Sequence, residues 1–205
     1  MKITVIGAGN VGGTLAKGFK KAGHDVCFGV KDVNLPFKGI ELAKAEGIPF
    51  HNVPEAVAMS DVLVIAAPAQ FAHDIAKGLG DVHDKVIIDT MNGVFMRPEG
   101  FTNTSDAILA NCNCTDVVKC FNTTGYENMA NPVYQGKGID LFVCGSSDKG
   151  KAVAIQLGKD LGFGEVFDFG GNDKFFLQEQ LAFSWINLAI LQKQGRDMAL
   201  TVVRR

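Results

Sequence analysis

Short apolar runs alternate along the chain with segments in which apolar residues recur every three or four positions. The runs read as strands at Lys2 to Gly7, Asp25 to Val30, Ile48 to Phe50, Asp61 to Ala67, Val86 to Asp89, Asp116 to Phe121, Leu141 to Gly145 and Glu165 to Phe169. Several, such as "VLVIAA" and "KVIID", are continuous in Val and Ile, as strands covered on both faces are. The periodic segments predict helices over Asn10 to Ala22, Ile40 to Glu46, Pro54 to Met59, Gln70 to Leu79, Ser105 to Ala110 and Lys149 to Leu161. A last helical stretch is expected from about Asp173 to the end, with a break at Gly195. This alternation is the pattern of βαβ units, and it predicts an α/β fold with a doubly wound, mainly parallel sheet and a short C-terminal helical tail. The only division the sequence offers lies near Gly170-Gly171-Asn172. It separates residues 1–170, a dinucleotide-binding unit, from residues 171–205, a tail too short to build its own core.

The first helix shows the reasoning in detail. Val11, Leu15, Phe19 and Ala22 recur at spacings of four and three, while Lys17, Lys20 and Lys21 take the opposite face and Gly23 supplies a left-handed stop. Immediately before this helix stands "GAGNVGG". A G-x-G-x-x-G stretch that follows a strand and opens an amphipathic helix leading to a second strand is a phosphate-binding turn. Gly7 allows the tight turn, Gly9 lets a pyrophosphate approach the backbone without a Cβ in the way, and Gly12 lets the helix lie close on the strand. The free N–H groups of the first helical turn then face the anion.

Which dinucleotide fits is decided at the end of the second strand. NAD enzymes place an Asp or Glu there to accept hydrogen bonds from the ribose hydroxyls. In "HDVCFGVKD" that position falls on Val30, followed by Lys31, whose charge suits a 2'-phosphate. NADP is therefore favoured over NAD; the opposing reading makes Asp32 the ribose acid and Lys31 a solvated surface charge.

Composition narrows the field. The chain has 205 residues, 47% of them hydrophobic and 20% charged, with a net charge of -2. It has no basic field for nucleic acid or anionic lipid. Met1-Lys2 lead directly into a strand, and no apolar run has membrane-spanning length, so a cytoplasmic protein is expected. Cys27, Cys112, Cys114, Cys120 and Cys144 are odd in number and lie in apolar contexts, and His24, His51, His73 and His83 lack ligand spacing, so no metal site is expected.

Beyond the glycine turn, "SDVLVIAAP", "DKVIIDTMNGV", "VVKCFNTTGYENMANP", "LFVCGSSDKGKAVAIQLGKDLGF" and "FLQEQLAFSWINLAILQKQGRDMAL" resemble the coenzyme F420-dependent NADP oxidoreductases, short Rossmann proteins that pass hydride between NADP and an 8-hydroxy-5-deazaflavin. The resemblance implies that Ala8, Gly9, Asn10 and Val11 hold the pyrophosphate and that Val30 and Lys31 lie beside the 2'-phosphate. It implies further that Ala67 and Pro68 wall the cofactor and that Asn92, Asn122 and Thr123 approach the nicotinamide. Members of that family commonly carry Gly-Ser-Arg where this chain has Gly29-Val30-Lys31, which implies weaker affinity or selectivity for NADP.

Hydride transfer between two flat rings needs stacking, dryness and fixed facing more than a catalytic dyad. The leading expectation is therefore an NADP-dependent oxidoreductase with deazaflavin F420 or a flavin as second substrate. A reductase of a small carbonyl or imine compound is the alternative, with His73 as its proton-transfer candidate. A non-catalytic NADP-binding redox sensor is the third. The stripe Phe175, Phe176, Leu181, Phe183, Trp185, Leu188 and Leu191 exceeds what a lone terminal helix buries, and it leaves two outcomes, docking on the chain's own sheet or pairing in a homodimer.

Overall fold

Strands and helices alternate in the computed structural model, which describes residues 1–205. The strands are β1 (Lys2–Ile6), β2 (Asp25–Val30), β3 (Phe50–Asn52), β4 (Val62–Ile65), β5 (Val86–Asp89), β6 (Val117–Cys120), β7 (Val133–Tyr134), β8 (Lys137–Gly138), β9 (Leu141–Cys144) and β10 (Val166–Gly170). The helices are α1 (Asn10–Lys21), α2 (Ile40–Ala45), α3 (Val53–Ala58), α4 (Ala72–Lys77), α5 (Thr104–Leu109), α6 (Tyr126–Ala130), α7 (Asp148–Asp160) and α8 (Phe175–Ile186). Eight strands form one sheet in the order β10-β9-β6-β5-β4-β1-β2-β3, parallel except where β9 runs against β6. The order β3-β2-β1-β4-β5-β6 is the doubly wound arrangement, and the expected α/β fold is what the chain adopts.

The apolar runs bury both faces as expected. Val62, Val64, Val86 and Ile88 point into a layer with Leu15, Phe19 and Phe121. Leu63, Ile65 and Ile87 point into the opposite layer with Ala72, Ala76 and Leu79. The period of two along each strand thus divides its side chains between two cores.

Several boundaries differ from expectation for identifiable reasons. Strands expected to reach Gly7, Phe121 and Gly145 stop earlier, because these residues have φ of 102°, 64° and 141° and turn the chain at the sheet's rim. The buried face of α1 is Gly12, Leu15, Ala16 and Phe19; Ala22, expected in the stripe, is exposed. The span 126–138, without assigned structure in the sequence reading, forms α6 and a β7–β8 hairpin. Gln135 (φ 50°) and Gly136 (φ 79°) supply the two left-handed positions of its tight turn.

The tail departs most. Helix α8 continues through a π-helical turn at Asn187–Leu191 and ends there instead of running to the C-terminus. Lys193 and Gly195 are left-handed, and the N–H groups of Gln194 and Gly195 reach back to the carbonyls of Leu188 and Ala189. Residues 196–205 then run back as a strap. Arg196 binds both carboxylate oxygens of Glu127 at 2.5 and 3.0 Å, and the Met198 carbonyl accepts from Trp185 Nε1 and Asn128 Nδ2, each at 2.8 Å. Asp140 accepts from Thr201 Oγ1 and the Val202 N–H. Trp185, which the strap contacts, and Phe175 at the start of α8 are both buried within the chain.

The strap gives a pH prediction. Burial raises the Glu127 carboxyl, but the Arg196 bonds outweigh it and hold the group below its ordinary value. That contribution is complete at neutral pH and is lost as pH falls below the ordinary glutamate range and through the lowered folded value. The Arg196 guanidinium lies 5.4 Å from the ring of Trp185, the chain's single tryptophan. Intrinsic fluorescence should shift on acidification before far-UV circular dichroism changes. Glu127→Gln should show the same shift at neutral pH.

Candidate functional site

The turn between β1 and α1 is fixed by contact. Gly7 is left-handed, and a Cβ on Gly12 would lie 1.8 Å from the Gly7 carbonyl oxygen, so the start of α1 rests directly on the turn. Gly9 differs: a Cβ there would meet nothing within 4 Å. No side chain caps α1, and its first turn holds no acidic residue. Its leading N–H groups therefore face outward with the positive end of the helix dipole behind them.

They face a groove of about 970 Å³ along the carboxyl ends of β1, β2 and β4. Of the residues singled out from the sequence, Gly7, Ala8, Gly9, Asn10, Val11, Val30, Lys31, Ala67 and Pro68 line it. Gly12 lies behind the turn as a packing residue. Val30, Val53, Pro54, Phe71 and Ile75 contribute apolar surface to its lining. Lys31 and Lys38 stand on the wall, with Asp74 as the one acidic residue. Lys38 had no sequence motif to mark it; the loop after β2 brings it to the groove. Asp32 is turned into its own loop, where its Oδ1 accepts from the Asn34 N–H at 2.9 Å and from Asn34 Nδ2 at 3.2 Å. His73 sits beside Asp74 at 3.3 Å and is not among the lining residues.

Asn92, Asn122 and Thr123 are on the same rim but outside the groove. Asn92 Nδ2 donates to the Asn122 carbonyl at 2.7 Å, and Asn122 Nδ2 donates to Asn92 Oδ1 at 2.9 Å. Gln178 Nε2 on α8 completes the set by donating to Asn122 Oδ1 at 2.8 Å. Thr123 is buried. These residues clamp the ends of β5 and β6 together.

Behind the clamp lies a charged cluster that sequence reasoning missed. Lys119, fully buried in β6, donates from Nζ to Asp89 Oδ2 at 2.7 Å, the Met91 carbonyl at 2.9 Å and Thr104 Oγ1 at 2.8 Å, and lies 3.0 Å from Glu179 Oε1. Burial opposes its charge, but the Asp89 and Glu179 carboxyl groups outweigh this and hold its pKa above the ordinary lysine value. Glu179 Oε2 also accepts the Gly93 N–H at 3.0 Å, so α8 fixes the loop that follows Asn92. A charge inside the apolar run "VVKCF" was the signal available. The cysteines take no part in this: Cys144 and Cys114 are pushed by burial to about 12 and about 11. No helix is long and apolar enough to cross a membrane.

Residues 2–93, a little under half of the chain, match the family of NADP oxidoreductases, coenzyme F420-dependent, which is the family its motifs implied. Over 74 residues the chain is 36% identical to the ketol-acid reductoisomerase (NADP(+)) of Bifidobacterium animalis subsp. lactis (strain AD011), a match covering 36% of this chain. The match spans only 20% of that enzyme's length. Among solved structures, a protein of Arthrobacter sp. FB24 assigned as an F420-dependent NADP-reductase superposes with a TM-score of 0.80 over 100% of both chains, at 23% identity. A reductive aminase from Aspergillus terreus, in complex with NADPH and ethyl levulinate, gives 0.65 at 15% identity, over 94% of this chain and 66% of its own. At these identities the structures share the fold.

The two inner glycines should separate by substitution. Gly12→Ala drives a methyl into the Gly7 carbonyl and is expected to cost about 1–3 kcal/mol or more. Gly9→Ala has open space and should unfold within a few degrees of the parent, as thermal denaturation would show.

Proposed function

With residues 2–93 placed in the family of coenzyme F420-dependent NADP oxidoreductases, we propose that this protein is an NADP-dependent oxidoreductase that exchanges hydride with a ring substrate, deazaflavin F420 or a flavin. The observation that carries the reading is the uncapped start of α1 over open space at Gly9, a seat shaped for pyrophosphate. Ala8, Asn10 and Val11 line the same seat. The apolar lining residues Val30, Val53, Pro54, Phe71 and Ile75 would hold the adenine.

The choice of NADP over NAD rests on three neighbours. Asp32 is occupied by Asn34 and leaves ribose hydroxyls without an acid, while Lys31 and Lys38 on the groove wall offer two ammonium groups to a 2'-phosphate. Ala67 and Pro68 wall the middle of the groove. The Asn92–Asn122–Gln178 clamp, on the rim beyond the groove, would support the nicotinamide end. NADPH supplies the hydride; the protein's part is to orient the ring, hold the rim rigid and exclude water. A carbonyl or imine reductase needs a proton donor beside the reacting carbon, and the position of His73 off the groove wall gives that alternative no support. The same reading makes the protein a cytoplasmic homodimer that pairs through the exposed Leu177, Ile190 and Leu191 of the tail.

Fluorescence titration should show NADPH binding more tightly than NADH. Lys31→Ala and Lys38→Ala should each weaken NADPH by about tenfold and leave NADH nearly unchanged. Equal binding of both dinucleotides would remove the NADP assignment. Absorbance assays with F420, FMN and FAD test the transfer itself; tight NADPH binding with no acceptor reduced would instead favour a redox sensor.

A further inference from the structure

Arg97 is held in place without an acid. Its Nε donates to the Gly93 carbonyl at 3.1 Å, and its guanidinium carbon lies 5.7 Å from the centre of the Phe176 ring. Its two terminal NH₂ groups find no protein acceptor, and no carboxylate lies within ion-pair distance. Two arginines of the tail are paired, Arg196 with Glu127 and Arg204 with Glu165. Glu179, which reaches the same Gly93, is already engaged by the Gly93 N–H, Thr104 and Lys119.

The loop that carries Arg97 is not a free surface arm. Glu179 pins its start at Gly93, directly after Asn92, and Phe95 packs edge-on against Phe183 at 5.8 Å. Tether and stacking reduce the rotamer entropy lost when a ligand binds, and the open fork of N–H donors matches the oxygens of a carboxylate or phosphate. Arg97 is exposed, and so are Phe95, Met96 and Phe176, so its free donors are open to an incoming ligand beside apolar surface.

We propose that Arg97 binds an oxyanion, carboxylate or phosphate, on the second substrate of this site, so that the ring partner is selected for an anionic side arm. The inference rests on the proposed hydride transfer for its context and on the Arg97 geometry for its substance. Binding is read by flavin fluorescence at saturating NADP⁺ with three probes: neutral riboflavin, FMN with its phosphate, and 10-carboxymethylflavin with its carboxylate. In the wild type the anionic probes should bind about tenfold or more tightly than riboflavin, and their order identifies which anion the site takes. Arg97→Gln should collapse that advantage toward one, and Arg97→Lys should keep part of it. NADPH affinity of both variants, expected within twofold of wild type, reports an intact fold. Equal binding of all three probes by the wild type, an anion advantage that survives in Arg97→Gln, or no saturable binding of either anionic flavin would overturn the proposal. Turnover of F420, FMN and FAD with NADPH is scored separately: reduction of none of them removes the hydride-transfer reading and leaves the anion comparison standing.

Discussion

The burial of one ammonium group organises this molecule. Lys119 stands in the middle of the sheet with no exposure to water, and an isolated charge there would be prohibitively costly. It is tolerated because β5 supplies Asp89, α5 supplies Thr104, the chain after β5 supplies the Met91 carbonyl and α8 supplies Glu179. Removing one partner of such a group typically costs about 3–5 kcal/mol, because the remainder is left buried and uncompensated. The positions of α5, the β5 loop and α8 are therefore mutually dependent. That dependence reaches the rim beside the groove through Glu179 on Gly93 and Gln178 on Asn122.

The sheet and the phosphate turn were legible because their determinants are local. A run such as "VLVIAA" can only be a covered strand, and the glycines at 7, 9 and 12 impose their geometry within six residues. Each then takes the part its position implied: Gly7 turns the chain, Gly9 faces open space, and Gly12 permits helix-to-turn contact. Lys31 and Pro68 were reachable for a related reason, since the residues at the carboxyl end of a parallel strand must lie on one rim.

What escaped the sequence was set by distance along the chain. Nothing near Lys119 announces that Glu179 will neutralise it, and nothing near Asn122 announces Gln178. Asn92 and Asn122 were placed on the correct rim, but their mutual hydrogen bonds depend on a register between two strands that sequence patterning does not supply. The tail was misread for a similar reason. Its composition permits helix to the end, yet Arg196, Met198 and Thr201 satisfy Glu127, Trp185, Asn128 and Asp140, and these partners outweigh helical propensity.

The Lys119 cluster also dictates an order of events as the chain folds. Its bonds to Asp89 and Thr104 span 30 and 15 residues, whereas the contacts of Glu179 with Thr104 and Gly93 span 75 and 86. Loop closure over such lengths comes late. Until α8 arrives, Lys119 has a single carboxyl partner, so the central sheet is left with an incompletely compensated charge at its heart. Docking of α8 thus completes the electrostatics of the central sheet, and the Asn92–Asn122 end of the rim takes its final shape only with that helix in place.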